Sequence, residues 1–443
     1  MSRFPSLSTS KRLRLLDPTV KMRSLLTALP SVLWLLVSTC EANPLKNYPF
    51  NSQDAHDADL DILNETLWRR VRVPGGTGGN APPPVDQIFL FGPDNMAGGC
   101  SGRKDGLQDW LDDSRRVHDA IEQLYGMVTK PSVSKLWETF FGIFMWINPS
   151  TNQYEVDPGS RDRWNAIGDH IARVTQFLDG NGLREPVVAG EVPRIFCSGD
   201  AGQLVGWDTI LKDENGDEVE RGTDPVTGDK QYVSLRQVYA SGANQYVFWM
   251  SSFNGYWFTG AKPGQQISLC PDGGRQAATA RPSVPPLRGL NVKLAQENRG
   301  IIVCPRAWQR TIGQPHGQPS LLQAVSGNSY PTGDGSTGEL LDRLTPMSLT
   351  LYHEIVHLTD YNMQTSTPDQ YDLGAILRMA FSSNAADKTA VPHNPETYVH
   401  FGMAAYIYLN PPQGKDTILY VSGKSATETA VWNAIARKRQ QGP

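Results

Sequence analysis

Apolar positions early in the chain recur at helical spacing. Leu107, Trp110, Leu111, Val117, Ile121 and Leu124 predict one amphipathic helix. Leu136, Trp137, Phe140, Phe141 and Phe144 form a denser apolar run, the pattern of a buried helix. Trp164, Ile167, Ile171, Val174 and Leu178 mark a third helix, stopped by Gly180. The middle of the chain then changes character. Val187-Val188, Val192 to Cys197, Tyr232 to Tyr239 and Tyr246 to Met250 are rich in β-branched and aromatic residues and predict strands. An acidic, glycine-containing stretch, Lys212 to Lys230, separates two of them and reads as an exposed hairpin or insertion. Ile301 to Cys304 is a short buried strand. A loop-rich segment from Gln309 to Gly338 comes next, and no internal repeat is visible.

A further helix is predicted from Thr345 to Leu358. Thr345 can cap it and Pro346 suits its first turn. Leu349, Tyr352 and Val356 lie on one side and Leu351, Ile355 and Leu358 on another, so the helix is largely buried. Within this apolar frame stand His353, Glu354 and His357. Two histidines four residues apart project from one helix face, a turn apart. That spacing lets both imidazoles bind one tetrahedral zinc ion. Glu354 is the next residue round, placed to take a proton from a zinc-activated water and deliver it to a leaving amine. HExxH fixes only three positions and recurs by chance. The apolar neighbours give it weight here, because polar groups inside such a helix are costly without partners.

Two histidines need a third ligand. The metzincin pattern wants glycine where Asp360 stands, which excludes it. A thermolysin-like site would use a glutamate on a later helix, and Glu396 is the candidate. The remaining option is an aspartate soon after the motif: Asp360, Asp369 or Asp372. Asp360 is close enough in sequence to orient a ligand imidazole from behind instead. His118, His170 and His316 are scattered and read as surface or capping residues, and His393 and His400 as structural.

Composition places this chemistry outside the cell. The chain has 443 residues, 39% of them hydrophobic and 19% charged, with 41 glycines and 32 prolines. A formal net charge of -4 and the absence of a long basic stripe exclude a nucleic-acid binder. Met22 and Arg23 precede an apolar run, Leu25 to Val37, and small residues at Cys40 and Ala42 suit signal peptidase. The run is short for a membrane span of about 20 residues. Either translation begins at Met22, giving a signal peptide over 22–42, or 1–42 is a targeting region with a long basic start; a membrane anchor is the alternative. Past the signal remain Cys100, Cys197, Cys270 and Cys304, an even count that reads as two disulfides. Asn64-Glu65-Thr66 is a glycosylation sequon. Residues 43–98 are polar and turn-rich, and Arg69-Arg70 offers a cleavage point for a pro-region.

The HExxH helix and the segment after it resemble the aspzincin peptidases, the deuterolysin family. Those proteins carry HExxH and then a GTxDxxYG-type motif whose aspartate is the third zinc ligand. Ser366-Thr367-Pro368-Asp369-Gln370-Tyr371-Asp372-Leu373 stands in that place. Thr367 and Asp369 match; Ser366, Asp372 and Leu373 depart, and Tyr371 is one residue out of register with the family's tyrosine. Cys100-Ser101, Ile301 to Pro305, and Asn394 to Tyr398 with the helix after it are similar to further family segments. The likeness runs with gaps from about residue 98 to about residue 411. It implies one zinc ion on His353, His357 and Asp369, with Glu354 as general base. It makes Glu396 structural, and goes with bridges Cys270–Cys304 and Cys100–Cys197.

The expectation is therefore an α+β, zincin-like metallopeptidase domain over 99–411 with long loop insertions, then a C-terminal extension over 412–443. The expected function is a secreted, extracellular, monomeric zinc endopeptidase acting on polypeptides, without stable membrane association. The alternatives are a secreted, allergen-like binding protein that kept the fold without turnover, and a thermolysin-like peptidase using Glu396.

Overall fold

The computed structural model describes residues 81–91, 98–184, 192–239, 245–252, 254–260, 266–271, 276–279, 299–309, 320–326, 329–333, 338–360 and 369–440. These all fall in one compact unit, Asp57–Gly442. The targeting region, the Asn64 sequon, Arg69-Arg70, Val187-Val188, His316 and the motif residues Ser366 to Pro368 lie outside the described residues.

The chain is α+β. The three helices legible from apolar spacing are α1 (Lys104–Gly126), α2 (Pro131–Phe141) and α3 (Arg161–Leu178). Helix α2 stops at Gly142, whose φ of +62° is open to glycine at little cost. Phe144 therefore falls outside the helix its apolar run predicts, and is 42% exposed. Gly180, φ +78°, comes just after α3 as expected. The later helices are α4 (Leu349–Thr359), α5 (Leu373–Phe381), α6 (Pro395–Leu409) and α7 (Glu428–Gln440).

Seven strands build two main sheets: β1 (Leu90–Phe91), β2 (Arg194–Phe196), β3 (Gln203–Val205), β4 (Gln245–Met250), β5 (Gly255–Gly260), β6 (Ala277–Thr279) and β7 (Gly300–Val303). The first sheet runs β1-β2-β7-β6, with β1, β2 and β7 parallel and β6 antiparallel at the edge. Parallel neighbours need a long crossover, and α1 to α3 supply it between β1 and β2. Alternation sorts the strand residues into two layers. Ile195, Ile301 and Val303 point into the large helical core. Phe196, Ile302 and Cys304 point the other way, against Phe248, Met250 and Trp257 of the β3-β4-β5 sheet. Val247 leaves that sheet on its far side, over Leu211, Val219, Val233 and Leu235. The order is helices, mixed sheet, second sheet, then the acidic hairpin of strands Glu220–Thr223 and Lys230–Tyr232.

One expected strand changes type. Tyr232 to Tyr239 ends as a strand at Tyr232 and continues as the short helix Leu235–Val238. Ser234 and Gln237 form a capping box, in which the Gln237 side chain accepts from the Ser234 backbone N–H at 2.8 Å. Reciprocal capping offers the backbone a helical start that β-branched composition does not reveal. Cys100–Cys197 ties the start of α1 to the end of β2, and Cys270–Cys304 ties the approach to β6 to the end of β7. Both bridges are those that go with the family resemblance. Segments set apart in sequence also join the main core: Val85, Ile88 and Phe89 before α1, and Ile418, Leu419, Tyr420 and Val431 after α6.

Helices α1, α4 and α6 pack together under the mixed sheet. Gly402 lets α6 approach α1 closely, since a Cβ there would lie 2.2 Å from Val117 Cγ1. Two histidines expected at the surface are instead inside this bundle. His118 is 2% exposed, with Nδ1 3.0 Å from Tyr352 Oη and Nε2 3.0 Å from Thr175 Oγ1. It falls on the inward face of α1, one residue after Val117, where hydroxyl partners satisfy both nitrogens. His170 is 1% exposed, stacked on Tyr398 at 4.6 Å between centroids.

Burial, then the neighbouring His170, pushes the His118 ring down to about 3. Burial pushes His170 down to about 3 as well, against the attraction of Asp360. The unfolded chain binds these protons from about pH 6.5 downward, while the folded chain refuses them until about pH 3. Stability therefore falls on acidification through that window, by up to about 1.4 kcal/mol per pH unit for each ring. Urea titrations of the metal-free protein at pH 7 and pH 5 should show a loss of roughly 2 to 4 kcal/mol from the pair. In His118→Gln about half of that dependence should disappear; an unchanged slope would show that His118 titrates normally in the fold.

Candidate metal centre

Helix α4 begins three residues later than its sequence suggests. Thr345 does not cap it: its hydroxyl donates to Leu341 O at 3.1 Å. Pro346, Met347 and Ser348 instead enter the helix through three i→i+3 bonds, of which Leu349 N–H to Pro346 O at 3.1 Å is the first. Ser348 Oγ donates to Asp113 Oδ2 at 2.7 Å, which fixes this turn against α1. From there every residue from Leu351 to Thr359 is buried. His353, Glu354 and His357 are 5%, 5% and 7% exposed.

The i, i+4 spacing brings the two imidazoles edge to face, 4.7 Å apart at 74°. His353 Nε2 and His357 Nε2 are 3.1 Å apart. Asp369 arrives from the chain after α4 and completes the group: its Oδ2 is 3.0 Å from His357 Nε2 and 4.0 Å from His353 Nε2. The three atoms lie within 4.8 Å of one another. Donors about 2.0–2.2 Å from one tetrahedral ion are spaced by about 3.3–3.6 Å, so this set could hold a metal ion.

The other carboxylates that the sequence offers are engaged elsewhere. Asp372 caps α5, accepting from Ala375 N–H at 2.7 Å. Asp360, at the end of α4, has Oδ2 2.7 Å from His393 Nδ1 and Oδ1 3.5 Å from Arg173 Nη2. Glu396, in the first turn of α6, sits behind His353 with Oε2 2.8 Å from Nδ1. That bond favours a proton on Nδ1 and turns Nε2 toward His357 and Asp369. His400, one turn on, places Nε2 3.5 Å from Glu396 Oε1. Burial opposes a charge on His353, but the Glu396 hydrogen bond and charge, with Glu354 and Asp369, outweigh it and push the ring up to about 9.

Two neighbours complete the site: Thr279, which is not legible in the sequence, and Tyr371, which the family resemblance places one residue out of register. Thr279, at the end of edge strand β6, donates from Oγ1 to Glu354 Oε2 at 2.6 Å. Ala277-Ala278-Thr279 is too short and too weakly apolar to read as a strand. Tyr371 stacks on His353 at 5.5 Å between centroids and 14°, with its hydroxyl 3.3 Å from Asp369 Oδ2. Its spacing of two from Asp369, which in extended chain puts both on one side, is the available signal. Desolvation, then the charges of Asp369, Glu354 and Glu396, raises the Tyr371 phenol above its usual range.

The chain matches no family model and no solved structure. It is similar to the non-secreted LysM effector LysM17 of Penicillium expansum, with 38% identity over 121 residues. That stretch is 26% of this chain and 16% of the relative, so the chain spans about a sixth of the curated protein it matches. No helix among the described residues is long and apolar enough to cross a membrane.

Metal binding separates these roles. Asp369→Ala should lower zinc affinity by at least a hundredfold and Asp372→Ala by less than threefold, measured by competition with a chromophoric chelator. Glu396→Gln should fall between them, roughly 10 to 100-fold, the usual cost of losing the carboxylate behind a ligand imidazole. Equal affinity in the two aspartate variants would remove Asp369 from the ligand set.

Proposed function

We propose that this chain is a secreted zinc endopeptidase with a zincin-like domain, similar to the aspzincins. The observation that carries the reading is the meeting of His353 Nε2, His357 Nε2 and Asp369 Oδ2, with Glu354 on the same buried helix as the two histidines. Zinc in this group would polarise a scissile carbonyl and bring a water's pKa to about 7. Glu354 would take the proton of the attacking water and pass it to the leaving amine nitrogen. Glu396 would hold His353 in the tautomer that offers Nε2 to the metal. The antiparallel strand β6 beside the site supports an extended polypeptide as substrate, because among the described residues it is the edge of its sheet and a further strand could add there. The two disulfides support export, since such bridges persist in oxidising compartments.

A second reading is a binding protein that keeps this fold and metal group without turnover; the partial similarity to a protein named as an effector, not as a peptidase, is compatible with it. Glu354 separates the two. It is 5% exposed and held by a hydrogen bond at the metal group, an arrangement metal binding alone does not need. One pair of proteins decides between them. Purified parent and Glu354→Gln should each hold one equivalent of zinc by elemental analysis. Casein hydrolysis should appear only in the parent, stop with chelator, and fall at least a thousandfold in the variant. Zinc in both with hydrolysis in neither would leave the binding-protein reading.

A further inference from the structure

We propose that Thr279 is a positioning residue for Glu354, holding one carboxylate oxygen so that the other faces the reacting water. The proposal rests on the peptidase reading above. Thr279 is the last residue of edge strand β6 and stands opposite Ile301 of β7. Alternation along the pair puts Ala278 with Ile302 on the face toward the second sheet, and Thr279 with Ile301 on the face toward the helices. Its Oγ1 lies 2.6 Å from Glu354 Oε2 and 3.1 Å from the Glu354 main-chain oxygen. A hydroxyl has one proton to give, and the carboxylate is the stronger acceptor.

The geometry does more than satisfy a buried oxygen. The same hydroxyl touches the carboxylate and the helix backbone that carries His353 and His357, so it fixes one relative to the other. Threonine is stiff at χ1, and its backbone is fixed by pairing with β7, so the donor does not follow the glutamate if that side chain swings. Glutamate has three rotatable bonds and no such stiffness. With Oε2 engaged, Oε1 is the oxygen left for proton transfer. A proton acceptor displaced by about 1 Å can lose roughly a hundredfold in rate.

The test compares parent, T279S and T279V as zinc-loaded full-length proteins. T279S keeps the hydroxyl and should stay within threefold of the parent. T279V keeps the shape, removes the donor, and should lose at least tenfold in kcat with KM within threefold and one equivalent of zinc retained. In the Glu354→Gln background T279V should have no further effect on rate. A purely structural threonine would instead lower the melting temperature and leave kcat within twofold, which overturns the proposal; so does a loss confined to KM or to zinc content. A second readout does not depend on turnover. The infrared difference between each protein and its Glu354→Gln form isolates the Glu354 carboxylate bands. Those bands should shift in T279V and not in T279S. If the parent proves inactive the peptidase reading fails, and an unshifted band in T279V then overturns the hold of Thr279 on Glu354 separately.

Discussion

Everything in this fold is arranged around one costly helix. Helix α4 is buried along most of its length, yet it carries two imidazoles and a carboxylate. Polar groups removed from water cost several kcal/mol each unless they find partners. Each partner here comes from a different element. Helix α6 brings Glu396 to His353, strand β6 brings Thr279 to Glu354, and the chain before α5 brings Asp369 to His357. At the end of α4, Asp360 is met by Arg173 of α3 and by His393. The packing that makes the core and the hydrogen bonds that make the site are therefore the same set of approaches, and neither could be altered without the other.

The mixed sheet supplies the second half of that arrangement. Strands β2 and β7 are parallel and covered on both faces, which is why they read as short apolar runs. Strand β6 is antiparallel, at the edge, and polar where it meets α4. It does not hold its place by apolar burial of its own. Its register with β7 and the Cys270–Cys304 bridge hold it instead. By the chain-entropy account, closing the 34-residue interval of that bridge contributes about 4 kcal/mol, which acts on the segment that delivers Thr279.

What is legible in the sequence is whatever depends on period and local chemistry. Apolar spacing marks α1 to α3, and Gly180 ends α3 in both sequence and structure. The HExxH spacing places two imidazoles and a glutamate on one buried helix. Tertiary placement is not legible. His118 and His170 look like surface residues because nothing local announces a Tyr352 hydroxyl or a Tyr398 ring across the bundle. Asp360, Asp369, Asp372 and Glu396 stay open as ligands because sequence distance says little about which carboxylate returns to the helix. Tyr232 to Tyr239 reads by composition as a strand, and a two-residue cap at Ser234 and Gln237 overrules it.

The charge inventory of the site is set by that placement. Around two imidazoles the fold gathers the carboxyl groups of Asp369, Glu354 and Glu396, the last two buried and Asp369 partly so. Arg173 meets Asp360 at the end of α4. Carboxylates gathered so closely repel one another, because charge interactions grow as the dielectric falls. A fold selected only for stability would replace such a cluster with apolar side chains of similar size, often at a gain. Under the proposed function, a dication among His353 Nε2, His357 Nε2 and Asp369 Oδ2 would add positive charge to this cluster. On that reading Glu396, buried and hydrogen-bonded to His353, need not ligate: its charge would act on the metal through the imidazole it orients.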